Sequence, residues 1–214
     1  MPLRRTNFYL LHGRVLLAAN AIGEFEKLLQ KLEPMLKEAS DEQRAFAALL
    51  RVDFARRKID NTAGKKAGAE ALRAATASGV QALKLRAALY GNNSVEQTLD
   101  AETEKLGNLP LRLEWLAQSI NGQLLLGNSQ AAIKRYREAE AILNKHADAQ
   151  AAFKLHHLGA QALNQFGDKA EAKEARAKAQ KALDHLRSEL PENLRTGFDA
   201  DLQIIAFKES GNGQ

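Results

Sequence analysis

NQFGDKAEA, residues 164–172, sets a helix stop beside a helix start. Upstream, Phe153, Leu155, Leu158, Ala162 and Leu163 recur at helical spacing; downstream, Ala170, Ala172, Ala175, Ala179 and Leu183 do the same. Gly167 tolerates the left-handed conformation that ends a helix, and Asp168 with Glu171 forms an N-terminal capping pattern. LLLGNSQAA, residues 124–132, repeats the device with Gly127-Asn128. Two helices joined by so short a break predict an antiparallel hairpin.

The remaining chain fits this reading. It has 214 residues, of which 45% are hydrophobic, 27% charged and only 6% aromatic, with four prolines. Alanine is frequent in every segment and is the strongest helix former, so the expectation is all-α. Charged residues at 27% beside 45% hydrophobic ones point to a chain that is soluble and folded rather than disordered. There is no cysteine, which removes disulfides, thiolate metal sites and cysteine nucleophiles and leaves a periplasmic location open. No stretch reaches the ~20 apolar residues of a membrane span. MPLRRTNFYLLHGRVLLAANAIG, residues 1–23, has features of a signal peptide, but His12, Gly13 and Arg14 interrupt its apolar stretch. The expectation is a cytoplasmic protein or a domain of a longer one.

Helices are expected over 3–20 and 24–39, the second kinked or shortened at Pro34. A helix opening at Ser40, with Gln43 as capping-box partner, carries Phe46, Leu49, Leu50 and Phe54 and stops near Ile59-Asp60-Asn61. Helices over 62–77, 80–90 and 95–106 follow, the last capped by Ser94 with Gln97. Further helices are expected over 110–126, 129–145, 148–165 and 169–187, then a capping helix over 191–207 with Leu194, Phe198 and Leu202 on one face. Residues 209–214 read as a flexible tail. The breaks at Gly23, Asp60, Gly91, Gly127 and Gly167 recur at about 34 to 40 residues, the period of an α-solenoid. Five hairpins result, over about 3–39, 41–77, 79–106, 110–145 and 148–187, forming one domain over 1–208.

The last two hairpins resemble the tetratricopeptide family. In the fifth, Ala160 takes the small first-helix position, Gly167-Asp168 the turn, and Ala172 and Ala179 the small second-helix positions, while Arg176 stands where an aromatic is usual. In the fourth, Gly127-Asn128, Ala132, Tyr136 and Ala139 match, but Ile120 holds the small position and Trp115 is one residue out of place. About 80 residues carry the resemblance. It implies a right-handed α-solenoid whose first helices line a concave groove, and a protein-binding scaffold of the kind found in bacterial signalling proteins. On that arrangement Gln118, Asn121, Lys154, His157 and Gln161 face the groove, offering amides and cations to a peptide backbone or carboxylate.

Catalytic motifs for nucleotide binding, serine hydrolysis and zinc hydrolysis are missing, so no enzyme, no cofactor and no metal site are expected. His156 and His157 are adjacent and point about 100° apart on a helix, one inward and one outward. Trp115 and Tyr136 are expected in inter-helix packing. The net charge is +5. RRKIDNTAGKK, residues 56–66, concentrates Arg56, Arg57, Lys58, Lys65 and Lys66 around a turn. These five are the candidates for binding an anion, and nucleic acid is the alternative partner. They lack the interleaved aromatics of a base-stacking surface.

Overall fold

The computed structural model describes residues 2–91 and 96–210. All regular structure among them is helical: α1 (Pro2–Ala18), α2 (Ile22–Leu36), α3 (Asp41–Arg57), α4 (Asn61–Ser78), α5 (Gln81–Gly91), α6 (Glu96–Leu106), α7 (Leu109–Leu125), α8 (Ser129–Leu143), α9 (Ala149–Phe166), α10 (Lys169–Glu189), α11 (Glu192–Asp199) and α12 (Leu202–Glu209). The expected break after Gly91 and the Ser94–Gln97 cap lie outside the described residues, although Gly91 itself still belongs to α5. The chain forms two compact units, residues 1–93 with 190–214 and residues 94–189. The expected hairpin 79–106 therefore has one arm in each unit.

In the first unit, Ser40 opens α3 as its spacing predicts. Its hydroxyl accepts from Gln43 N at 3.2 Å, and Gln43 Oε1 accepts from Ser40 N at 3.1 Å. Phe25, Leu28, Leu32 and Leu36 line the inner face of α2 and pack with Leu10 and Leu17 of α1 and Leu50 of α3. Each large apolar side chain buried this way contributes about 1.5–3 kcal/mol. Pro34 lies inside α2, which ends within a turn after it. On α3, Arg51 bridges to Glu33 at 2.6 Å and to Glu70 at 3.0 Å, joining α2, α3 and α4.

The C-terminal segment differs from the single helix expected over 191–207. It breaks at Ala200 and restarts where the Asp201 carboxylate accepts from Gln203 N at 2.8 Å. This restart shifts the register, so Leu202 is 60% exposed, and Ile204 and Phe207 are buried in its place. Rather than capping a far end, the segment packs on the first hairpin of its own unit. Leu194 joins the α1–α2–α3 core, Asn20 donates to Gly197 O at 3.1 Å, and Arg57 pairs with Asp201.

In the second unit, α7 packs on α8 and α9, α9 packs on α10, and α6 lies against α7. The opening motif behaves as read. Gly167 takes φ 100°, and Asp168 Oδ1 accepts from Glu171 N at 3.0 Å. Arg112, 6% exposed, ties α6, α7 and α8 together. It donates to Asp100 O and Oδ1 at 2.9 and 2.6 Å, to Thr103 Oγ1 at 3.1 Å, and to Glu138 Oε1. Arg112 and Arg135 flank the buried Trp115 ring at 4.7 and 4.6 Å, and Arg135 also holds Asp100. Burial opposes ionisation of Asp100, but the two guanidiniums outweigh it and hold the carboxyl below its ordinary value.

Ala160 is buried as the repeat pattern suggests, yet the closest approach falls one residue earlier. A Cβ at Gly159 would stand 2.4 Å from Tyr136 Cδ2 on α8. Glycine-to-alanine in an exposed helix stabilises by up to about 1 kcal/mol, whereas overpacking costs about 1–3 kcal/mol. Here the ring cannot slide away, because its hydroxyl is hydrogen-bonded at the far end. Gly159→Ala is thus expected to lower stability by about 1–2 kcal/mol in urea denaturation. In a Tyr136→Ala background the same change becomes neutral or stabilising.

Candidate partner-binding surface

The candidate groove residues lie on α7 and α9, which pack directly against each other. Each helix is set by its cap. Asn108 Oδ1 accepts from Leu111 N at 3.1 Å to open α7, with Pro110 in the first turn where no N–H is needed. Asp148 Oδ1 accepts from Ala151 N at 2.9 Å to open α9. The inward faces carry Leu111, Trp115, Leu116 and Ile120 on α7, and Leu155, Leu158, Ala162 and Leu163 on α9.

Gln118 is half-buried and Asn121 exposed on α7; Lys154 and Gln161 are exposed and His157 half-buried on α9. Spacings of three and four put Lys154, His157 and Gln161 on one face of α9, and Gln118 and Asn121 on one face of α7. His157 and Gln161 are in direct contact, with 3.2 Å between their Nε2 atoms. The amide nitrogen is the donor, so His157 Nε2 accepts and the ring is neutral. That ring also stacks on Phe153 at 6.3 Å with 6° between planes. Burial, and then the charge of Arg176, hold its pKa below the ordinary value. The imidazole is thus a fixed, neutral hydrogen-bonding group, and Lys154 supplies the cation on this face.

His156 points inward, as adjacency to His157 predicts. It is buried, with Nδ1 2.9 Å from Tyr136 Oη, and Tyr136 Oη is 3.2 Å from Glu140 Oε1. A carboxylate cannot donate, so the single phenolic proton goes to Glu140, and His156 donates Nδ1–H to Oη. Lys178 completes the chain by donating to Glu140 at 2.9 Å. Burial opposes the charge on Glu140, but the Lys178 ammonium and the Tyr136 hydroxyl hold its carboxyl below the ordinary value. Burial pushes Tyr136 up and His156 down, so both stay neutral. The pattern around Tyr136 identifies it as a packing residue; no sequence signal identifies its partner, because the contact links residues 20 positions apart on different helices.

The basic run resolves into separate contacts within the first unit. Arg56 lies 4.4 Å from the Tyr90 ring, Arg57 pairs with Asp201, and Lys58 pairs with Glu26 at 2.7 Å. Lys65 and Lys66 are exposed in α4. Three of the five candidate anion ligands are therefore engaged inside the unit. Among the described residues, no group of three His, Asp or Glu is placed to hold a metal ion, and no helix is long and apolar enough to cross a membrane.

A separate feature lies between α8 and the end of α9, away from these five residues. Beneath the Gly167-Asp168 turn, Ile133, Leu163 and Phe166 line a cleft of about 300 Å³ rimmed by Lys134 and Arg137. Phe166 is 54% exposed, and Leu125 and Leu126 at the neighbouring turn are 81% and 73% exposed. The helical period alone places Phe166 at the end of an inward face, whereas the turn leaves it in solvent.

No family model, curated protein or solved structure matches the chain.

The histidines set a pH dependence. Both folded-state pKa values lie below the ordinary 6.5, so below that pH the unfolded chain binds more protons than the folded one. Their contribution to stability is complete above about pH 6.5 and is lost as pH falls through the folded values. The urea midpoint is expected to be lower near pH 5 than near pH 7.5, and His156→Leu is expected to flatten part of that slope.

Proposed function

We propose that the chain is a non-catalytic protein-interaction scaffold that grips a peptide or partner surface across α7 and α9. The observation that carries this reading is the direct packing of α7 on α9, with Gln118, Asn121, Lys154, His157 and Gln161 on those two helices. Amides, a neutral imidazole and one ammonium suit peptide amides and a carboxylate better than they suit bond-breaking chemistry. The Phe153–His157–Gln161 arrangement is ordered before any partner arrives, which lowers the entropy cost of binding.

The same helices support a tetratricopeptide-like reading of the second unit. Gly127 and Gly167 both take positive φ at their turns, and α8 packs on both α7 and α9. A regulatory or sensor role within a signalling protein accords with such a scaffold. Engagement of Arg56, Arg57 and Lys58 inside the first unit favours protein over nucleic acid as the partner.

The test is affinity capture from the native source with the wild-type chain and with Asn121→Ala/Lys154→Ala/Gln161→Ala. These side chains are exposed, so folding is expected to survive the change. A specific partner lost by at least about tenfold supports the surface, since interface truncations of one to two kcal/mol reach that size. An unchanged set of partners removes it.

A further inference from the structure

The outer face of α1 carries three large apolar side chains in solvent: Phe8, Leu11 and Val15 are 64%, 60% and 51% exposed. The opposite face, with Leu10, Leu16 and Leu17, is already buried in the core of the first unit. The exposed set is therefore a second apolar stripe on a helix that needs only one to fold. Phe8, Leu11 and Val15 follow at spacings of three and four, the a–d–a of one heptad, and the flanking positions of that register are the charged Arg4 and the half-buried Ala18.

In that register Phe8 and Val15 take the a positions and Leu11 takes d. The flanking e and g positions are Arg5, Asn7, His12 and Arg14, all exposed. α1 contains no acidic residue, and among the described residues no ion pair neutralises these arginines. Charges at e and g select the partner strand of a coiled coil. A second copy of α1 fits poorly in either direction. Parallel pairing sets Asn7 beside His12, and antiparallel pairing sets Arg5 beside His12 and Asn7 beside Arg14, with no opposite charges in either case. A membrane surface fits poorly too. Phe8, Leu11 and Val15 cover only about 60° of the helix circumference, whereas an apolar face that buries broadly spans roughly 100° or more.

We propose that α1 docks an acidic amphipathic helix of a partner protein, packed along the Phe8–Leu11–Val15 seam with carboxylates against Arg5, His12 and Arg14. The proposal does not rest on the α7–α9 surface, which belongs to the other unit.

The experiment is fluorescence anisotropy on the full chain with labelled synthetic helical peptides. One peptide carries Leu at a and d with Glu at e and g; its counterpart carries Lys at e and g. The acidic peptide is expected to bind at least about tenfold more tightly, and to weaken as salt screens the charges. Phe8→Ser/Leu11→Ser is expected to lose that binding by at least about tenfold. Arg5→Glu/Arg14→Glu, which leaves the seam intact, is expected to reverse the preference. Equal binding of the two peptides, or indifference to both variants, overturns the proposal. So does seam-dependent association with phosphatidylglycerol vesicles in place of the acidic peptide, or seam-dependent dimerisation in sedimentation equilibrium.

Discussion

Tyr136 occupies the space that a side chain at position 159 would fill, and the second unit is arranged around that contact. With so few aromatic residues, the chain cannot fill its core with bulky rings. It brings helix backbones together over alanine and glycine, and a single ring seats where the approach is closest. The phenol is then held at its far end by His156 and Glu140. Shape fixes one end of the side chain and hydrogen bonding the other. Because α9 carries both Gly159 and the outward triad of Lys154, His157 and Gln161, the seating of this ring sets how that triad is presented.

Charge has a structural task in both units. Arg112 brings α6 to α7 and α8 by satisfying Asp100, Thr103 and Glu138 from one guanidinium, a match that a lysine ammonium could not make. Arg51 does comparable work across α2, α3 and α4. The sequence's basic balance is thus partly spent inside each unit, and the density of cations along a stretch is a poor guide to free charge. α1 is the contrast, with its arginines outside the ion pairs among the described residues.

Helical class, most element boundaries and the turns at Gly127 and Gly167 were readable from the residues, because they depend on local rules; the break expected at Gly23 falls earlier, since Gly23 lies inside α2 and Asn20 takes the positive φ. Gly167-Asp168 and Ser40–Gln43 act as their spacing predicts. What was not readable depended on tertiary placement. The break at Ala200 rests on the Asp201 carboxylate serving as a cap while also meeting Arg57, and Arg57 stands far away in sequence. The dispersal of Arg56, Arg57 and Lys58 onto a ring and two carboxylates was hidden for the same reason. For the candidate surface, the five positions could be named from repeat spacing, but the neutral state of His157 follows from burial, Gln161 and Arg176.

The return of residues 190–210 to the first hairpin bears on how the chain is made. A ribosome releases residues 1–93 long before Asn20 can meet Gly197 or Arg57 can meet Asp201, contacts that span 177 and 144 positions. The N-terminal unit therefore emerges first and finishes last, while the unit encoded between its two parts has all of its own contacts to hand earlier. That reverses the usual order of N-terminal completion during synthesis. In the interval, the site that Leu194 later covers stands open on the nascent chain, and the N-terminal helices must hold together without their closing segment.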